Sequence, residues 1–110
     1  LDTEFLTMHG ELDLALDASW LWTESRVAHI HIKDFDGVLV DQKGRHRYLH
    51  PGEGTIPFDR WVHGLAMQGY TGPIVLESTA VDSAGAVDVR RLNHSLERLR
   101  ILVRAAWVDV

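Results

Sequence analysis

Residues 26–33 read Arg-Val-Ala-His-Ile-His-Ile-Lys. Val27, His29, His31 and Lys33 fall on one face of this alternation, and Ala28, Ile30 and Ile32 fall on the other, so the segment is predicted to be a β-strand. Upstream, Leu12, Leu14, Leu16, Trp20 and Leu21 lie in 11–24, which contains no Pro or Gly, and an amphipathic helix starting after Gly10 is predicted. Pro57 opens a second helix at a position where its missing N–H costs nothing. Phe58, Trp61, Leu65 and Met67 supply that helix's apolar contacts, and Gly69 stops it. A strand over 73–79, Pro-Ile-Val-Leu-Glu-Ser-Thr, follows. Val89, Leu92, Leu96, Leu99, Val103 and Ala106 then recur at helical spacing, predicting a long closing helix over 87–107.

Between the first strand and the second helix lies 34–57, rich in Gly and charge, with a small hairpin predicted within 38–49 and its turn at Gln42, Lys43 and Gly44. A connection of that length in a compact domain is usually functional. The expected order is helix, strand, long loop, helix, strand, helix. Such alternation implies right-handed crossovers on a parallel sheet, hence an α/β fold. Leu1 itself reads as the end of a strand, which leads us to expect further chain upstream.

Parallel sheets collect ligands at the carboxyl ends of their strands. His29, His31, Lys33 and Asp34 end one predicted strand, and Glu77 ends the other directly after Ile74, Val75 and Leu76. A carboxylate there is costly to keep ionised unless it is paired or binds a cation. Two readings stand side by side: a polar strand end that emerges into solvent, or one wall of a metal site.

Composition narrows the chemistry. With 110 residues, of which 45% are hydrophobic, the chain is one globular domain, spanning 1–110 with an insertion at 34–57. A net charge of -5 provides no basic field for a phosphate backbone, so nucleic acid is not an expected partner. The chain has no cysteine, so any metal must sit on His, Asp and Glu. No apolar run reaches the roughly 20 residues that span a bilayer, and a soluble, cytoplasmic protein is expected.

Three segments, "HIHIKDFDG", "HPGEGTIPFDRW" and "GYTGPIVLE", in this order resemble the carboxyl-terminal third of the xylose isomerase-like TIM barrels. That superfamily holds sugar isomerases and epimerases and also an abasic-site endonuclease branch, whose basic groove this acidic chain lacks. The resemblance covers 1–79 and implies a fragment of a (β/α)8 barrel, about strands six to eight with their helices. It implies that His31 and Glu77 are metal ligands, that Asp2 in "LDTEFL" is a third, and that Glu77 is also the catalytic acid/base. His29, Lys33, Arg47 and His50 would line the substrate site. The implied cofactor is a divalent ion, Mn, Mg, Co or Zn, and the implied substrate is a sugar, keto-sugar or polyol.

The expected reaction is proton abstraction next to a carbonyl that the ion polarises. Phe5 stands where many family members carry a histidine, and Tyr48 where Arg or His is common. A closed barrel needs about 250 residues. The chain alone is therefore expected to be inactive and to need the missing barrel half or an oligomeric partner, and the alternative is a non-catalytic binding or assembly module. Trp20, Trp22, Trp61 and Trp107 are expected to pack helices on the sheet. Gly52 and Gly54 are read as a tight turn rather than a phosphate loop.

Overall fold

A computed structural model describes residues 1–77 and 84–108. The elements are α1 (Thr3–Met8), α2 (Leu12–Asp17), a 3-10 turn (Ser19–Trp22), β1 (Ile30–Ile32), α3 (Phe58–Met67), β2 (Ile74–Leu76) and α4 (Val89–Val108). β1 and β2 pair in parallel with Ile30 opposite Ile74, His31 opposite Val75 and Ile32 opposite Leu76. On the other side of β1, Asp2 makes a parallel bridge to His31. Three parallel segments therefore lie side by side in chain order, as crossover units require.

The alternation that predicts β1 also divides the sheet's two faces. Ile30 and Ile32 are fully buried and pack with Phe58, Trp61, Leu65, Tyr70 and Leu99 into one core. His31, Val75 and Asp2 fall on the opposite face, and Glu77, two residues after Val75, returns to it. One face is thus oily and sealed by helices, and the other is polar.

α3 follows its predicted pattern, with Phe58, Trp61, Val62, Leu65 and Ala66 buried at spacings of three and four and Gly69 ending the turn beyond it at φ 77°. α4 lies against α3 through Ala106, which packs with Val62 and Ala66, while Leu99 joins the main core. No helix among the described residues is long and apolar enough to cross a membrane.

Four details depart from expectation. The predicted helix over 11–24 breaks at Ala18 into α2 and the 3-10 turn. The break lets the Trp22 indole donate to the Ala15 carbonyl (2.9 Å) and set its edge on Tyr70 (centroids 5.9 Å apart). Trp20 on the same turn is 62% exposed and does not pack on the sheet. The opening segment holds its strand register only at Asp2, because the Asp2 carboxylate caps α1 by accepting from the Glu4 (2.9 Å) and Phe5 (3.3 Å) amides. β1 covers only the last part of 26–33, and Ser78 and Thr79 of the second predicted strand lie outside the described residues.

The long connection is built around one buried carboxylate. Asp34 Oδ1 accepts from the amides of Phe35 (2.8 Å) and Ile56 (3.0 Å), and Oδ2 accepts from Gly52 (2.9 Å) and Gly54 (2.8 Å). The Gly-Glu-Gly turn does cradle an anion, and that anion is the chain's own. A Cβ on Gly54 would meet Asp34 Oδ1 at 2.6 Å and the Phe35 carbonyl at 2.7 Å, so glycine is required there by close approach. The hairpin forms as predicted, with Val40 bridging His46 and Asp41 accepting from Lys43 (2.8 Å) and Arg45 (2.9 Å) around the turn.

The far end of the loop is clamped onto α4. His50, fully buried, has Nδ1 2.6 Å from Ser95 Oγ, and Arg91 donates from Nε to Glu53 (2.9 Å) and from Nη2 to the Tyr48 carbonyl (2.9 Å). The Arg91 hydrogen bonds hold the Glu53 carboxyl below its ordinary range despite partial burial. A carboxyl lowered in the fold stabilises it above the unfolded value of about pH 4.3, and that contribution is lost as pH falls through the lower folded value. Acid unfolding followed by circular dichroism should therefore show a shallower loss of stability for Glu53→Gln than for wild type below about pH 4.3. Superimposable acid limbs would refute the link.

Candidate metal centre

At the carboxyl ends of the three parallel segments, Asp2, His31 and Glu77 converge. Their potential ligand atoms all lie within 4.8 Å of one another, and each residue is partly exposed. His31 Nδ1 is 3.1 Å from Glu77 Oε2. Each position follows from the local fold. Asp2 is fixed because its Oδ1 caps α1, His31 because the isoleucines on either side are buried, and Glu77 because it directly follows β2, whose Ile74 and Leu76 pack half-buried against the core.

Lys33 sits behind the three. Its side chain is 3% exposed, with Nζ 3.3 Å from Asp2 Oδ2, 3.5 Å from Glu77 Oε2 and 3.6 Å from Glu4 Oε1. Phe5 and Tyr48 lay their rings near the ammonium, with centroids at 4.8 and 5.5 Å. Burial pulls the Lys33 pKa down, but Asp2, Glu4 and Glu77 outweigh it and hold the amine above its ordinary value. For Glu77, burial raises the pKa, while the His31 hydrogen bond and the Lys33 charge prevail and keep the carboxyl below its usual range. Three carboxylates against one ammonium leave an excess of negative charge at a spot lined by oxygen and imidazole nitrogen, which is a donor set that suits a divalent cation. Asp2, His31 and Glu77 are the residues that could hold it.

The other expected site residues fall in different places. His29 is exposed, its ring 6.5 Å from that of His31. Arg47 pairs with Asp36 (2.9 Å), and His50 is enclosed against Ser95, so the structure brings neither to the cluster. Glu4 and His46 belong to it and were not anticipated. Glu4 is 1% exposed and its Oε1 lies 2.8 Å from His46 Nε2, while the His46 ring stacks on Tyr48 at 4.5 Å. Lys33 is buried, and Glu4 is one of the three carboxylates around its ammonium. His46 gave no comparable signal, because only the hairpin's return path carries it there.

A parallel β/α arrangement with a candidate cation site at its strand ends is what α/β barrels and open doubly wound sheets have in common. The family model of the xylose isomerase-like TIM barrel matches residues 6–102, and the chain belongs to that family. Neither the curated proteins nor the solved structures gave a match.

Proposed function

We propose that this chain is the part of a divalent-metal-dependent sugar isomerase or epimerase that carries barrel strands six to eight, and that Glu77 moves the proton next to the substrate's carbonyl. The observation that carries this reading is the meeting of Asp2, His31 and Glu77 at adjacent strand ends within 4.8 Å, with excess negative charge around them. Held by these three, Mn, Mg, Co or Zn would supply Lewis acidity toward a sugar carbonyl. The chain's own groups do the rest. Glu77, kept ionised by His31 and Lys33, is the base that takes a proton from the adjacent carbon and returns it. Lys33 holds Asp2 and Glu77 in place from behind. Exposed His29 offers a hydrogen bond to a substrate hydroxyl, and the remaining barrel strands or a partner complete the pocket.

The expected outcome of adding Mn2+ is a rise in melting temperature, since an ion at a hundredfold excess over its Kd stabilises by about 2.7 kcal/mol. His31→Ala and Glu77→Ala should each abolish the rise. No shift with Mn, Mg, Co or Zn would leave the second reading, a non-catalytic module. One observation favours that reading: Lys33 already neutralises part of the cluster without any ion.

A further inference from the structure

Lys33 Nζ lies 3.3 Å from Asp2 and 3.5 Å from Glu77, touching two of the three residues that would hold a cation. An ion bound to those carboxylates would share their oxygens with a buried ammonium, in a setting where repulsion is weakly screened. Giving way would relieve that repulsion, and the ammonium cannot move into apolar surroundings without a counter-charge. Glu4 is the third carboxylate already in reach, 3.6 Å from Nζ. It does not belong to the candidate ligand group. It is 1% exposed, and its Oε1 is held by His46 Nε2 at 2.8 Å, so it waits in a fixed position. The Phe5 and Tyr48 rings border the same ammonium and tolerate its positive charge.

We propose that Lys33 is a built-in competitor of the cation for Asp2 and Glu77, and that Glu4 is the positioning residue that takes the ammonium over when the ion enters. The inference rests on the metal-site reading and deepens it, giving Glu4 and the hairpin residue His46 a part in setting cation affinity. With Glu4 present, Lys33 has somewhere to go. Without it, the ammonium keeps its hold on the ligand oxygens and the ion binds less well.

The test is a double-mutant cycle read by calorimetric titration of Mn2+ into the purified protein, with melting in EDTA to verify that each variant folds. Lys33→Met should tighten Mn2+ binding about tenfold, and Glu4→Gln should weaken it about tenfold when Lys33 is present. In the Lys33→Met background, Glu4→Gln should change affinity by less than about threefold. Should Lys33→Met fail to fold, Lys33→Gln, which keeps polar contacts without the charge, takes its place. An equal Glu4→Gln loss in both backgrounds would mean that Glu4 acts on the ion through space, and a neutral residue 33 that does not tighten binding would mean that the ammonium is no competitor. Either result overturns the proposal while leaving the metal site standing. Mn2+ binding in neither wild type nor the residue-33 variants would instead sink the metal site itself, and the proposal with it.

Discussion

Asp34→Ala is expected to lower the stability of the protein by about 3–5 kcal/mol, a large share of the roughly 5–15 kcal/mol that holds a domain together. The carboxylate accepts from four backbone amides, those of Phe35, Gly52, Gly54 and Ile56, and it is 1% exposed. Removing it leaves four amides without their acceptor, that of Ile56 buried and those of Phe35 and Gly54 partly so, and each unmade buried bond costs about 1–3 kcal/mol. Asp34→Asn should cost less, because the amide oxygen still serves one pair of donors while its NH2 faces the other pair. The order wild type, Asn, Ala in urea denaturation is the expected result, and an Ala variant within about 1 kcal/mol of wild type would contradict the role. The effect reaches the candidate metal centre as well. The same loop carries His46 to Glu4 and Tyr48 to Lys33, so a loop without its anchor also loses one wall of the cluster.

The contrast between Asp34 and its neighbours shows what was legible in the linear chain. His31 and Glu77 could be put on one polar wall because strand alternation and strand-end position fix the face of a side chain, Asp2 was reached only through the family resemblance, and the structure brings the three together. Lys33 could be put on the same face for that reason. Its partners could not, because Glu4 sits in a helix that begins only where Asp2 caps it, and His46 arrives by the return of a hairpin. Asp34 was visible only as one more polar residue at a strand end. Its four donors come from positions up to 22 residues away in a loop whose path no periodicity encodes. The glycines pointed to a tight turn, and nothing local said that the turn closes around a carboxylate of the chain itself.

Trp61→Ala is expected to cost about 3–5 kcal/mol, whereas Trp20→Ala should stay within about 0.5 kcal/mol of wild type. Both tryptophans were expected on helices with apolar neighbours, and both received the same reading. The structure separates them by what surrounds the indole. Trp61 is fully buried on the sheet-facing side of α3, in the core with Ile30, Ile32 and Leu65, and its Nε1 donates to the Leu12 carbonyl at 2.9 Å. Its loss would open a large cavity beneath β1 and leave that carbonyl without its indole donor, two penalties that fall on the strand carrying His31. Trp20 stands 62% exposed on the 3-10 turn, where the break at Ala18 has rotated it away from the core. Helical spacing could not tell them apart, because the break that exposes Trp20 accompanies a hydrogen bond from the Trp22 indole to the Ala15 carbonyl that the spacing does not encode. Urea midpoints for the two variants decide the matter. A Trp20→Ala loss as large as that of Trp61→Ala would mean that the turn packs on the sheet after all.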